Sequence, residues 1–198
     1  MRNRFITYRA VSFAVVLTIA GAGARADDAP AVSDGFTVSL PAGYAAFTKQ
    51  VQTAKAPEGE IETTNWISRA PTGEAVVVTS SRMPGKILDP QKLIASTRAS
   101  LLQSLKATLE SEEPRAGDVP STRMLFRSDA AYFRARLTVV DDRLYQLLYV
   151  GRSADQRAAP TVGEMFDSFR LTGTIASPPL VPVRRNESNI SPTVGAAR

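Results

Sequence analysis

The chain has 198 residues and a formal net charge of +5, and it contains neither cysteine nor histidine. The lack of cysteine excludes a disulfide-stabilised scaffold. The lack of histidine excludes Ser-His-Asp and Cys-His nucleophile systems and the usual zinc sites. The acidic residues are scattered without calcium-loop spacing, and no glycine-rich phosphate loop occurs. We therefore expect no cofactor, no metal and no catalytic centre.

The first 26 residues have the three parts of a secretory signal peptide. Arginines precede an apolar run over residues 10–20, and small residues then end in Ala24-Arg25-Ala26. The apolar run is shorter than the roughly 20 residues that a membrane-spanning helix needs. We predict cleavage after Ala26 by the general secretory route, with Ala24 and Ala26 as the recognised small residues. The mature protein would then be periplasmic or secreted, without stable membrane insertion.

Removal of this segment changes the charge balance of the protein. Arg2, Arg4, Arg9 and Arg25 are four of its 24 basic residues, which leaves 20 against 19 acidic residues, or +1. Nucleic-acid binding usually needs a clearly basic domain. We therefore expect no nucleic-acid partner.

The first half of the mature chain alternates apolar and polar residues between short Pro/Gly turns. Residues 36–40, 47–53 and 61–69, followed by Ala75–Arg82, are predicted to form a meander of four antiparallel strands. Asp89 is then a natural N-cap, with Pro90 at the first helical position. Apolar residues recur at helical spacing from Ile94 to Leu109, so we predict an amphipathic helix over residues 89–112 that lies on the sheet.

Strands are predicted again in the second half of the chain. Ser121–Arg127 and residues 130–140 read as strands, and Asp141-Asp142 is a hairpin turn into Arg143–Gly151. After a polar loop, Thr161 is expected to cap a short helix that carries Met165, Phe166 and Phe169.

This order predicts one α+β domain with an antiparallel sheet of about six to seven strands. The expected organisation is a signal peptide at 1–26, a flexible segment at 27–35, the domain at 36–174, and a disordered, proline-rich tail at 175–198.

Three stretches of the chain resemble the Mog1/PsbP-like domains, many of which are exported bacterial proteins of unassigned role. They are Phe36-x-x-x-Leu40-Pro41-x-Gly43-Tyr44, the Asp89-Pro90 helix start, and the segment from Arg143 to Leu171 with its Phe166-Asp-Ser-Phe169 motif. The resemblance covers roughly residues 36–172. It implies a central sheet with helices on both faces, and docking to a protein partner rather than catalysis.

The predicted strand at 130–140 offers one candidate binding surface. Ala131, Phe133, Ala135, Leu137 and Val139 should face the core, which places Tyr132, Arg134 and Arg136 on the other face. Arg123 and Arg127 of the neighbouring strand would join them. Because arginine presents a rigid donor fork to carboxylates and phosphates, this face is a candidate contact for an anion or an acidic partner. The alternative is a solvated face on which each arginine pairs with an acidic residue across the strands.

Other prominent side chains are expected to be structural. Trp66, the single tryptophan, should pack in or beside the core. Tyr145 and Tyr149 share a strand face and could line a cleft, although core packing is the simpler expectation.

The leading functional hypothesis is an exported, non-enzymatic module that docks to an envelope or secreted protein. The alternative is a carrier with a pocket for an apolar small molecule or lipid between the sheet and the helix at 89–112. A hydrolase that uses only carboxylates is disfavoured, because the sequence offers no facing acidic pair.

Overall fold

The structure is a computed structural model that describes residues 31–33, 35–57, 59–115 and 119–172. The predicted signal peptide with Ala24 and Ala26, and the predicted tail at 175–198, lie outside the described residues. The strands are β1 (Ala31–Ser33), β2 (Phe36–Val38), β3 (Thr48–Ala56), β4 (Gly59–Arg69), β5 (Ala75–Arg82), β6 (Thr108–Arg115), β7 (Ser121–Arg127), β8 (Tyr132–Val140), β9 (Arg143–Gly151) and β10 (Arg170–Leu171). The helices are α1 (Pro90–Ser104), α2 (Ala154–Ala158) and α3 (Pro160–Ser168).

Seven strands form one antiparallel sheet in the order β3-β4-β5-β9-β8-β7-β6. The predicted α+β class and the strand count are therefore confirmed. The predicted hairpin at Asp141-Asp142 is also present, and Asp141 adopts the left-handed conformation (φ 53°) that a tight hairpin turn requires.

One face of this sheet is covered by α1. Leu93, Ile94 and Leu101 of the helix are buried against side chains from the sheet. On β8, the residues predicted to face the core do so, since Phe133, Ala135, Leu137 and Val139 are all buried in this cluster. The rings of Phe126 and Phe133 stack there with their centroids 4.9 Å apart.

The opposite face is covered by α3 and by a small three-stranded sheet, β1-β2-β10. Phe36 of β2 contacts the ring of Trp66 edge-on at 4.9 Å and lies 5.7 Å from the ring of Phe169. Val162, Met165 and Phe166 of α3 complete this second core. Helices therefore lie on both faces of the sheet, as the family resemblance implied.

The predicted helix at 89–112 is too long. It ends at Ser104, and residues Thr108–Arg115 form the edge strand β6 instead. Lys106 takes a left-handed conformation (φ 50°). The N–H groups of Lys106 and Ala107 donate to the carbonyls of Gln103 and Leu102, which closes the helix. Glycine usually occupies this left-handed position at the end of a helix. Because a lysine occupies it here, the sequence has no glycine to indicate where the helix ends.

The predicted four-strand meander is wrong at its first strand. Phe36–Val38 belongs to the small sheet, because Phe36 and Val38 are fully buried over the second face of the large sheet. Its partner β1 lies within the stretch at 27–35 that was expected to be flexible.

The start of the short C-terminal helix also differs from the prediction. The N-cap of α3 is Ala159, without a side-chain hydrogen bond, and Thr161 lies inside the helix after Pro160. Proline suits the first helical position because its fixed φ is already helical. The expected polar loop before it contains α2, whose N-cap Ser153 accepts a hydrogen bond from the N–H of Gln156.

Truncation of Leu137 tests how strongly the fold depends on the core beneath α1. Leu137 is fully buried, so Leu137→Ala is expected to lower the free energy of unfolding by about 2–5 kcal/mol. Leu88→Ala is the matched control, because Leu88 is 78% exposed and its loss should cost less than about 0.5 kcal/mol. Urea unfolding followed by the fluorescence of Trp66 measures both. Equal losses for the two variants would contradict the packing described.

Candidate functional site

The structure brings together the five residues predicted to share one face of the sheet. In the register of β7 and β8, Arg123 lies opposite Arg136 and Arg127 lies opposite Tyr132. Arg134 lies between them, opposite Leu125. This group, which we call the arginine face, is on the side of the sheet that α3 and the small sheet cover.

Helix α3 crosses part of the arginine face. The guanidinium of Arg134 lies over the ring of Phe166 at 4.8 Å, and that of Arg136 lies over the ring of Phe169 at 5.6 Å. These are favourable cation–π contacts. The two central arginines are therefore half-buried packing elements of the second core, rather than a solvated row.

One end of the arginine face is neutralised by Glu110 of β6. Its carboxylate binds Arg127 Nε at 3.1 Å and Arg157 Nη1 at 2.5 Å. Arg157 also lies over the ring of Tyr132, with its guanidinium carbon 5.4 Å from the ring centroid. Arg127 and Tyr132 thus belong to a local network of ion pairs and a cation–π contact. This end of the face therefore matches the alternative expectation, in which arginines pair with acidic residues of the same molecule.

The other end carries more positive than negative charge. Arg123 pairs with Asp167 of α3 at 3.0 Å, and both side chains are well exposed. Arg115 of β6 and Arg170 of β10 lie close enough to Arg136 to repel its charge. We call Arg115, Arg123, Arg136 and Arg170 the basic end.

The electrostatics of Arg134 and Arg136 reflect this surplus. Burial, followed by the neighbouring Arg123, lowers the pKa of Arg134. Burial also lowers the pKa of Arg136, with Arg123, Arg115 and Arg170 adding to the effect and Asp167 opposing it. A guanidinium stays protonated under such shifts. The ion pairs among the described residues leave Arg136 without a carboxylate at salt-bridge distance.

Two members of the basic end, Arg123 and Arg136, were predicted from the sequence to share this face, and the other two, Arg115 and Arg170, were not. Arg123, Arg134 and Arg136 lie together as expected. Arg115 was missed because residues 108–112 of its strand were read as the end of a long helix, and Arg170 because it follows α3 in a two-residue strand. The alternation pattern of β6 could have revealed Arg115 only if the end of α1 had been recognised.

Trp66, Tyr145 and Tyr149 are core residues, as expected, and all three are buried in the second cluster. Burial raises the pKa of Tyr145 and of Tyr149, and it raises that of Tyr44, which hydrogen-bonds to Tyr149. These rings support the sheet surface beside the arginine face.

Within the described ranges, no three acidic side chains lie close enough together to hold a metal ion. None of the helices described is both long and apolar enough to span a bilayer.

Comparisons with known proteins identify the fold. No protein-family model and no curated protein matches this chain. Among solved structures, the chain is similar to cyanobacterial PsbP (CyanoP) from Synechocystis sp. PCC 6803, with a TM-score of 0.51 and 15% sequence identity. The match covers 78% of this chain and 99% of that chain. The fold is therefore PsbP-like, which confirms the fold that the sequence resemblance implied.

Removal of the Glu110 carboxylate tests the ion-pair network of the arginine face. Arg157 is only 11% exposed, so Glu110→Gln is expected to leave it poorly paired and to lower the free energy of unfolding by about 1–3 kcal/mol. Asp167→Asn removes a well-exposed pair and should cost less than about 1 kcal/mol. Urea unfolding of both variants distinguishes them, and a larger loss for Asp167→Asn would refute the assignment.

The buried tyrosines predict a loss of stability at alkaline pH. An unfolded chain releases tyrosine protons near pH 10, whereas the folded chain holds those of Tyr44, Tyr145 and Tyr149 to higher pH. The unfolded state therefore binds fewer protons above about pH 10, and the free energy of unfolding falls as pH rises. The ultraviolet absorbance of tyrosinate should show these three side chains ionising together with unfolding. Their ionisation near pH 10 in an intact fold would contradict this.

Proposed function

We propose that this protein is an exported, non-enzymatic accessory module that docks to an acidic surface of an envelope or secreted protein through its basic end. The observation that supports this proposal most directly is the charge of the basic end. Three arginines, from β6, β7 and β10, are grouped around Arg136 of β8 and lower its pKa, and Asp167 opposes them.

The basic end is suited to carboxylate recognition because its arginines are held in place. Arg136 rests on the ring of Phe169, and Arg170 Nη1 donates to the backbone carbonyls of Asp167 and Phe169. A guanidinium whose rotamers are already restricted loses less conformational entropy on binding. Its fixed donor fork also matches the geometry of a carboxylate.

The export part of the proposal rests on the sequence of residues 1–26, with cleavage after Ala26. The working module is then the domain at 36–174. The chain from residue 27 onward has a near-neutral balance of 20 basic and 19 acidic residues, so attraction to a partner comes from the local grouping of arginines rather than from net charge.

A non-enzymatic role is supported by the chemistry of the chain. Without histidine or cysteine, the common proton shuttle and the common thiolate nucleophile are both missing. The charged groups of the arginine face are engaged with rings and carboxylates of the same molecule.

The apolar carrier receives no comparable support from the structure. Such a carrier needs space between α1 and the sheet. In that interval, Leu93, Ile94 and Leu101 of α1 pack with Leu137 and its buried neighbours on the sheet.

Charge reversal at the basic end tests the proposal. Arg115 is exposed, and the side chain of Arg123 is 38% exposed in a surface pair with Asp167. Such surface pairs contribute little to stability, so the variant with Arg115→Glu and Arg123→Glu should keep its fold. The variant is expected to lose at least about tenfold in capture of the partner from envelope extract, because like charges now meet across the contact. Raising the salt concentration should weaken wild-type capture in the same direction.

The matched control carries Lys86→Glu and Lys92→Glu, which make the same change in net charge at exposed positions around the start of α1. It should capture the partner as the wild type does. Undiminished capture by the arginine variant, or recovery of lipid without any specific protein, would overturn the proposal.

A further inference from the structure

Strand β3 forms one edge of the large sheet and is suited to pairing with another strand. It runs for nine residues in unbroken antiparallel register with β4, from Thr48 opposite Ile67 to Ala56 opposite Gly59. Among the residues described, β3 pairs with β4 alone. Its outward backbone N–H and C=O groups therefore form a template for a further strand.

The opposite edge, β6, has the features that prevent such pairing. Its register with β7 shifts between Leu109 and Ser111, and Pro114 lies within the strand and lacks an N–H donor. Three glutamates also add negative charge along the eight residues of β6. Bulges, proline and charge are the usual means of blunting a sheet edge. β3 has neither a bulge nor a proline, and its two lysines, Lys49 and Lys55, lie on either side of an uncharged stretch at residues 50–54.

The side chains of β3 indicate what a partner strand would carry. Residues 50–54 are uncharged, and Val51 among them is 57% exposed. Lys55 is exposed on the same face of the strand as Val51, because residues four apart share a face. Lys55 lies opposite Glu60 of β4, so an acidic residue on its other side would complete an alternating row of charges.

We propose that β3 accepts an extended segment of a partner protein as an antiparallel eighth strand, with an apolar residue beside Val51 and an acidic residue beside Lys55. Backbone hydrogen bonds would supply affinity, and the two side-chain contacts would set the register. In the large sheet, β8 is the nearest strand to β3 that carries a residue of the basic end, and four strand spacings of about 4.8 Å, or roughly 19 Å, separate the two strands. The new contact is thus remote from the basic end and independent of the function proposed above.

Synthetic peptides test this geometry directly. In an antiparallel partner, the residue beside Lys55 precedes the residue beside Val51 by four positions. The matched probe is a nine-residue peptide of threonines with a glutamate four positions before a valine. One control peptide has lysine in place of glutamate. The other has the glutamate five positions before the valine, which places the two side chains on opposite faces.

The matched peptide is expected to protect backbone amides of residues 50–54 from hydrogen exchange, and to bind about threefold more tightly than either control. Lys55→Glu should reverse the preference between the glutamate and lysine peptides. Lys86→Glu, an equal charge change elsewhere, should preserve it. The variant with Arg115→Glu and Arg123→Glu should bind the matched peptide as the wild type does, so this test is separate from that of the basic end.

Several outcomes would overturn the proposal. They are equal binding of the three peptides, no binding at millimolar peptide, and protection confined to residues outside β3. Concentration-dependent dimerisation with protection of β3 in the absence of peptide would assign this edge to a second copy of the chain instead.

Discussion

The two central strands of the sheet are buried on both faces, and the rest of the fold depends on covering them. In β5, all residues from Ala75 to Ser81 are buried, and β9 is buried continuously from Leu144 to Tyr149. A strand of this kind cannot leave one face in water, because its side chains alternate between two apolar environments. The chain must therefore supply one layer on each side. Helix α1 provides the first layer, and α3 with the small sheet provides the second.

This second layer explains why the arginine face is only partly open. The aromatic side chains of α3 and its C-cap lie above the centre of the sheet, where Phe169 is near Phe36 and the ring of Phe36 reaches Trp66. Towards β8 the same helix meets Arg134 and Arg136, and the arginines lie against its aromatic rings. The positive charge left over lies further out, on β6, β7 and β10. A surface suited to an acidic partner thus follows from a covering layer that is narrower than the sheet it covers.

Local sequence rules located most of the sheet because its strands follow them closely. Ala75–Arg82, Ser121–Arg127 and Arg143–Gly151 were predicted to the residue, since turn residues bound each of them. The same rules failed where the deciding contact is distant. Leu109 continues the helical spacing of α1 by coincidence, and only the left-handed Lys106 shows that the helix has ended. Prediction of the site from the sequence had the same limit. Arg115 and Arg170 join the site because of how their strands pair in the fold, and not because they are close to its other residues in sequence.

The register shift in the edge strand β6 has two consequences for the protein. The register shift in β6 lies at Glu110, the residue that binds Arg127 and Arg157. The irregularity that discourages strand addition at this edge therefore also provides the carboxylate that neutralises one end of the arginine face. The positive charge is concentrated at the basic end as a result, which favours a single orientation for an acidic partner. β3 lacks any comparable irregularity along its nine residues. The charge recognition proposed above therefore lies beside the bulged edge, and the proposed strand addition lies at the edge that pairs, among the residues described, with β4 alone.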